Sequence, residues 1–114
     1  MLDFLGILGD YDERKIGRFE DGKLIIDTCM VCDADENYET AITHPAYNSG
    51  KWVIVETYAT EELAKVGHAK WVRTMTAPEL PDRLFDVGSA GIKKLAEAFG
   101  EDFSQGYERQ EAKR

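Results

Sequence analysis

The sequence predicts an α+β fold, an antiparallel β-meander of about four strands followed by two helices packed on one face. Short runs rich in Val, Ile and aromatic residues fill the first half of the chain, with turn-forming residues between them. The apolar spacing then changes from a strand-like to a helical period at Thr60. At 114 residues and 43% hydrophobic content, the chain has the length and composition of one globular domain.

Four runs are expected to form the meander, at about residues 15–19, 24–32, 38–44 and 52–58. Asp21-Gly22 between the first two runs is a strong hairpin signal. An acidic turn over 33–37 and a loop of turn formers over 45–50 separate the later runs. All connections are therefore short, which favours antiparallel neighbours.

The first helix is expected to begin after Thr60, whose hydroxyl can cap it, and to end before Pro78. Its buried face is expected to carry Ala64, His68, Trp71, Val72 and Met75, which recur at helical spacing. Gly67 in mid-helix costs about 1 kcal/mol relative to alanine, so we expect the helix to approach the sheet closely there.

A second helix is expected from Ser89 to Phe99, with Gly100 ending it. The domain is accordingly assigned to residues 1–100, with an apolar N-terminal segment at 1–9, and residues 101–114 are expected to be a polar tail.

The charge pattern excludes several classes of function. The chain carries 22 Asp and Glu against 14 Lys and Arg, a net charge of −8, and shows no cluster of basic residues, so no direct contact with nucleic acid is expected. The segment Met1–Gly9 lacks the basic flank of a secretory signal, and no run approaches the roughly 18 apolar residues of a membrane span. We expect a protein that is neither secreted nor bound to a membrane.

The chemistry-bearing residues form no recognisable catalytic or metal-binding motif. Cys29 and Cys32 stand three apart in a strand, where their thiols diverge, and no second pair completes a zinc site. No nucleophile elbow or phosphate-binding loop occurs. No catalytic residue, metal or cofactor is therefore expected. His68 fits a core histidine, although a ligand-binding or basic role together with His44 and Glu56 stays open.

The strands are apolar on both faces, whereas a sheet covered on one side alternates apolar and polar residues. One explanation is that the N-terminal segment and the tail cover the second face. The other is a protein–protein interface, since aromatic anchors are typical of interfaces. The expected partner-binding residues are Trp52, Ile54, Tyr58, Tyr38 and Ile42.

The run from Tyr38 to Val72, YETAITHPAYNSGKWVIVETYATEELAKVGHAKWV, resembles small uncharacterised proteins encoded by tailed bacteriophages. In this group we expect a Trp-bearing strand, then Y-x-T-x-E-x-A and G-H-x-x-W, which match residues 52–58, 58–64 and 67–71 here. The resemblance covers about a third of the chain and brings no established activity. It implies a phage protein of the virion or of the host cytoplasm that acts by contacts.

Three hypotheses follow. The first is a non-enzymatic structural or assembly protein of the head, neck or tail, contacting itself or other virion subunits and therefore oligomeric. The second is an acidic phage factor that inhibits a host nucleic-acid enzyme by occupying its basic groove. The third is a small ligand-binding domain or enzyme that uses His44 and His68.

Overall fold

The computed structural model describes residues 15–31, 37–88, 100 and 105–110. Four strands form one antiparallel sheet in chain order, and one α-helix follows them. These elements are β1 (Lys15–Asp21), β2 (Leu24–Met30), β3 (Tyr38–Thr43), β4 (Val53–Tyr58) and α1 (Glu61–Thr76). Two further strands, β5 (Arg83–Asp86) and β6 (Gln105–Glu108), pair antiparallel in a second sheet. The predicted α+β class is confirmed, and so is the meander.

The β1–β2 hairpin turns where the Asp-Gly signal predicts. Asp21 pairs with Leu24, and Gly22 between them has a φ of +62°, a conformation that glycine adopts without strain. In β2, the buried Leu24, Ile26 and Thr28 alternate with half-buried residues. The face that carries the buried residues is the face on which α1 packs.

The helix follows its sequence signals closely. The Thr60 hydroxyl accepts a hydrogen bond from the Leu63 amide at 3.2 Å, and Glu61 and Glu62 occupy the positive end of the helix dipole. Of the predicted inner face, Ala64 and Met75 are buried, and His68, Trp71 and Val72 are half-buried. The helix ends at Thr76, before Pro78.

A β-bulge in β4 changes the orientation of the residues that follow it. Ala41 of β3 pairs with Ile54, but the preceding Thr40 pairs with Glu56, so Val55 is an extra residue. Val55 is 7% exposed and packs in the core, on the same face as the buried Val53. Beyond the bulge, Tyr58 points toward α1 and is 6% exposed.

The core lies between the first sheet and α1 and extends to the second sheet. Its buried members are Leu24, Ile26, Ile42, Tyr47, Val53, Val55, Met75 and Leu84. Leu84 of β5 is 2% exposed, and the partly buried Tyr107 of β6 packs against the same cluster. The β5 segment also adjoins the edge of β4, where the Val87 amide donates to the Ile54 carbonyl at 2.8 Å.

The chain outside the meander and α1 differs in part from the sequence prediction. The structure contains one α-helix in the residues it describes; the second predicted helix, 89–99, lies outside them, as does the N-terminal segment 1–9. The assignment of 101–114 to a polar tail is wrong for residues 105–110. Strand β6 pairs with β5 there, and the Gln110 amide donates to the Ala46 carbonyl at 2.8 Å. The domain therefore extends beyond residue 100.

Candidate functional site

A chain of side-chain hydrogen bonds crosses the layer between the sheet and α1. His68 Nδ1 lies 2.7 Å from Thr28 Oγ1, and Thr28 Oγ1 lies 2.6 Å from Thr40 Oγ1. Thr40 Oγ1 is 3.0 Å from the Tyr58 hydroxyl, which donates to Glu56 Oε1 at 3.0 Å. We refer to these five residues as the hydroxyl relay.

The carboxylate of Glu56 gathers three donors on one oxygen. Besides Tyr58, its Oε1 accepts from Lys70 Nζ at 2.6 Å and from Trp71 Nε1 at 2.9 Å. Because both of those donors lie on α1, the carboxylate ties the helix to β4. The relay thus joins β2, β3, β4 and α1, and it begins and ends at residues that can titrate.

The register of the sheet assembles the relay. Thr28 and Thr40 form a cross-strand pair, both fully buried, and Thr40 pairs in turn with Glu56. Directly paired residues share a face of an antiparallel sheet, so these three side chains lie in a row under α1. The bulge at Val55 is what brings Glu56 and Tyr58 to this face. Without it, alternation would turn both side chains outward.

Two glycines make room for the rings of the relay. A Cβ at Gly17 of β1 would lie 2.7 Å from both Cδ2 and Nε2 of His68. A Cβ at Gly67 of α1 would overlap the Tyr58 ring. The expected close approach of the helix at Gly67 is therefore present, and its partner is Tyr58.

Burial and hydrogen bonding together set the protonation of the relay. Burial lowers the pKa of His68 below the ordinary value of 6.5, although the nearby Asp27 carboxylate favours the cation. It raises the pKa of Tyr58 well above 10.0. For Glu56, burial alone would raise the pKa, but donation from Lys70, Trp71 and Tyr58 outweighs it and holds the pKa below 4.5. At neutral pH the relay therefore contains an anionic Glu56 and a neutral His68.

His44 lies elsewhere, so the hypothesis of a site shared with His68 is not supported by the geometry. His44 follows the last residue of β3, four positions beyond Thr40, which is about 13 Å along a strand. Its Nδ1 accepts from the Ala46 amide at 3.0 Å, and its ring contacts Tyr47 edge-on. It stabilises the turn after β3, and burial lowers its pKa.

The five expected partner-binding residues do not form one surface. Ile42 and Tyr58 are 1% and 6% exposed and belong to the core face, which excludes them from a contact surface of the folded chain. Tyr38 pairs with Tyr58 and is half-buried, as is Ile54 on the opposite face. Only Trp52, at 47% exposure, is largely open to solvent. The bulge separates Tyr58 from Trp52 and Ile54, which strict alternation would have kept together.

The outward side of α1 carries the apolar residues that sequence reasoning missed. Leu63 and Val66 are 54% and 65% exposed, and they stand one turn apart. Leu63, Val66 and Gly67 also line one wall of an open groove of about 390 Å³, whose other wall is the end of β4. The helical pattern in the sequence could have indicated their exposure, because Leu63 and Val66 fall outside the predicted inner face.

The charged residues of that same helix surface are polarised along its axis. Glu62 lies in the first turn, whereas Lys70 and Arg73 lie in the second half; Glu61 and Lys65, which pair with each other, lie further round the helix. Glu62, Val66 and Lys70 are spaced four residues apart, so they lie along one side of the helix. Lys70 also bonds Glu56 and lies 5.2 Å from the Trp71 ring centre.

The second sheet holds paired charges rather than an open anion site. Arg83 contacts Glu108 at 2.8 Å across the β5–β6 pair. Arg109 contacts Asp82 at 3.4 Å and donates to the Leu80 carbonyl at 2.6 Å. These four side chains line a shallow pocket, and each arginine in it already has a carboxylate partner.

On the face away from α1, one carboxylate is held in an unfavourable environment. Glu39 is half-buried, and its Oε2 is buried without a hydrogen-bond partner in the described structure. Burial and the neighbouring Asp86 carboxylate raise the pKa of Glu39. Asp86 itself accepts from the Gly88 amide at 2.7 Å.

The described ranges contain neither a cluster of metal-ligating side chains nor a helix that could span a membrane. Within them, no three His, Cys, Asp or Glu side chains come together as metal ligands would. Cys29 is a half-buried residue of β2, and Cys32 lies outside those ranges. The one helix resolved there is too short and too polar to cross a bilayer.

Comparison with known proteins gave no match to any family model, curated protein or solved structure.

Proposed function

We propose that this chain is a non-enzymatic assembly protein of a tailed-bacteriophage particle and that it acts by contact with a second copy of itself. The observation that carries the proposal is the outward side of α1, where Leu63 and Val66 are more than half exposed. Exposed apolar residues beside a groove mark interaction surfaces. The phage context comes from the resemblance of residues 38–72.

The charge pattern of α1 favours a second copy as the occupant. In an antiparallel pair of helices centred on Val66, Glu62 of one copy lies beside Lys70 of the other. A two-fold contact of this kind is self-complementary and repeats every favourable pair twice. Glu62 and Lys70 stand at equal distances on either side of Val66, about 6 Å along the axis. The apolar pair then packs at the centre of the contact.

The first experiment measures the solution mass of the purified chain by light scattering over a wide concentration range. We expect a concentration-dependent dimer. Val66→Lys and Leu63→Lys place a charge at the centre of the contact and should give monomers. Trp52→Lys is the matched control, because it adds the same charge at an exposed apolar residue elsewhere, and its dimer should persist.

Charge reversal tests the arrangement itself. Glu62→Arg should weaken the dimer, because it places a second cation beside Lys70 of the other copy. A wild-type chain that is monomeric at every concentration would refute self-contact through α1. A dimer broken by Trp52→Lys but not by Val66→Lys would move the contact to the Trp52 surface.

The phage context has a separate test. Antibody raised against the chain should detect it in purified particles of the phage that encodes it, at a constant ratio to a major capsid or tail subunit. Detection in infected-cell lysate but not in purified particles would contradict an assembly role in the virion, even if the chain dimerises.

A further inference from the structure

The hydroxyl relay allows its protons to be counted one by one. Lys70 and Trp71 can only donate, so Glu56 Oε1 is an acceptor. The Tyr58 hydroxyl donates its only hydrogen to the same oxygen. Tyr58 can then only accept from Thr40, so Thr40 donates. Because the Thr40 hydroxyl hydrogen already bonds Tyr58, Thr28 must donate to Thr40. The Thr28 oxygen must then accept a hydrogen bond from His68 Nδ1.

We propose that the relay has this one direction, that it holds His68 as the Nδ1–H tautomer, and that it makes the docking of α1 on the sheet sensitive to acid. Each hydroxyl has one hydrogen, so reversing any single bond would leave two hydrogens or two lone pairs facing each other. The ionised Glu56 at one end sets the direction for the whole chain.

His44 provides an internal contrast. Its Nδ1 accepts from the Ala46 amide, so the neutral ring carries its hydrogen on Nε2. The chain has only two histidines, and their partners thus fix opposite tautomers.

The acid sensitivity follows from the position of His68 Nε2. In the neutral ring this nitrogen carries a lone pair and lies against Gly17. No residue in the described ranges forms a hydrogen bond with it. Protonation adds a hydrogen and a charge at this half-buried position, which costs desolvation free energy. The smallest structural change that exposes the charge to water is a movement of α1 away from β1 and β2. The lowered pKa of His68 agrees with this cost.

The charged groups around His68 do not cancel that cost. The carboxylate of Asp27 on β2 favours the cation, but it is already bonded to Arg18 of β1 at 2.8 Å. On α1 itself, Lys65 is paired with Glu61. The strand β3 contributes only a hydroxyl, and the carboxylate of β4 is reached through that hydroxyl and Tyr58.

The tautomer is measured directly from long-range ¹H–¹⁵N spectra of the imidazole rings at pH 7.5, with His44→Gln to assign the signals. We expect hydrogen on Nδ1 of His68 and on Nε2 of His44. Tyr58→Phe cuts the relay from Glu56, so Thr40 and Thr28 can reverse and His68 should become a mixture of tautomers. Tyr47→Phe is the control, because that hydroxyl donates to the Pro81 carbonyl and lies outside the relay.

The acid response is measured in the wild-type chain by amide exchange of α1, converted to an opening equilibrium at pH 7.5 and 5.5. The Trp71 indole N–H reports the same contact, and the exposed Trp52 serves as its reference. As the pH falls from the unfolded-state pKa of His68 toward its folded-state pKa, the opening equilibrium of α1 should increase by up to about tenfold for each pH unit. His68→Gln, which keeps a donor and cannot titrate in this range, should remove most of the increase.

Hydrogen on Nε2 of His68 at pH 7.5, or a tautomer that Tyr58→Phe leaves unchanged, would overturn the directional relay. An α1 opening equilibrium that is the same at both pH values in the wild-type chain would overturn the acid response. A variant that merely loses structure does not affect the measurements on the wild-type chain. The His68 tautomer and the α1 opening equilibrium of the wild-type chain are therefore the primary tests.

Discussion

Gly67 shows at the scale of a single residue how packing overrides helix propensity. Glycine in mid-helix is unfavourable by about 1 kcal/mol relative to alanine. Here its missing side chain admits the Tyr58 ring, and with it the link between Thr40 and Glu56. The sequence contained this signal, since an unexplained glycine on a helix indicates close approach. It could not identify the partner, because that depends on the bulge in β4.

We predict that Gly67→Ala destabilises the chain. Overpacking against Tyr58 should cost about 1–3 kcal/mol, and the higher helix propensity of alanine should offset part of this cost. Urea denaturation gives the free energy of unfolding. Ala69→Gly is the control on the exposed side of α1, where only propensity acts, and it should cost about 1 kcal/mol. A Gly67→Ala variant that is more stable than wild type would mean that the helix does not approach Tyr58.

Thr40 is the central member of the relay, and it could not have been identified from the sequence. A threonine in a strand fits ordinary strand propensity. Its role depends on standing opposite Thr28 on one side and Glu56 on the other, which only the register reveals.

Thr40→Val keeps the shape of this side chain and removes its hydroxyl. We expect a loss of about 1–3 kcal/mol, because Thr28 and Tyr58 each lose a buried partner. Thr43→Val is matched to it in strand and chemistry, but the Thr43 hydroxyl makes only a 3.4 Å contact with the Lys23 carbonyl. The two free energies of unfolding, measured side by side, should differ by more than 1 kcal/mol. Equal losses would contradict the role given to Thr40.

At the scale of elements, the sequence predicted the four strands and α1 nearly to their bounds, because each has a strong local signal. The Asp-Gly turn, the Thr60 cap and the proline at 78 are all local features. What it missed depends on contacts between distant segments. The bulge at Val55 follows from pairing with β3. Strands β5 and β6 are four residues each and pair residues that are 19 to 25 positions apart.

The bulge also explains why the five expected partner-binding residues do not share one surface. Alternation along β4 puts Trp52, Ile54 and Tyr58 on one face, and one extra residue moves Tyr58 to the other. The exposed large apolar residues of the described ranges are instead Leu63 and Val66 on α1, Phe85 on β5 and Trp52 before β4. A period-2 pattern is only as reliable as the assumption of an unbroken strand.

The helix start gives a prediction for an element as a whole. Thr60→Ala removes the acceptor for the Leu63 amide and should cost about 0.5–2 kcal/mol, whereas Thr60→Ser keeps it and should cost less. The thermal midpoint and the amide exchange of the first turn of α1 measure the effect. Because Leu63 lies in this turn, Thr60→Ala should also weaken the proposed dimer. Equal stability of the Ala and Ser variants would show that the cap contributes little.

For the whole molecule, the pKa shifts combine into one dependence of stability on pH. His44 and His68 both have folded-state pKa values below 6.5, so the unfolded chain binds more protons as the pH falls through 6.5. Stability that is fully present above that pH is therefore lost on acidification, until the pH passes below the folded values. Glu56, with its lowered pKa, loses its contribution only below about 4.5. Glu39, with its raised pKa, acts in the opposite direction, because protonation relieves its buried charge.

We expect the free energy of unfolding to fall between pH 7.5 and 5.5, where the two histidines act together. This range stays above the isoelectric point of about 4.7, so the chain keeps a net negative charge throughout. Urea denaturation at several pH values should give a steeper slope for wild type than for His44→Gln or His68→Gln, and the double variant should be nearly flat. The two single variants apportion the slope between the turn after β3 and the relay under α1. A wild-type chain that is as stable at pH 5.5 as at pH 7.5 would mean that neither ring is desolvated enough to resist protonation, and the close packing of His68 against Gly17 would then have to loosen in solution.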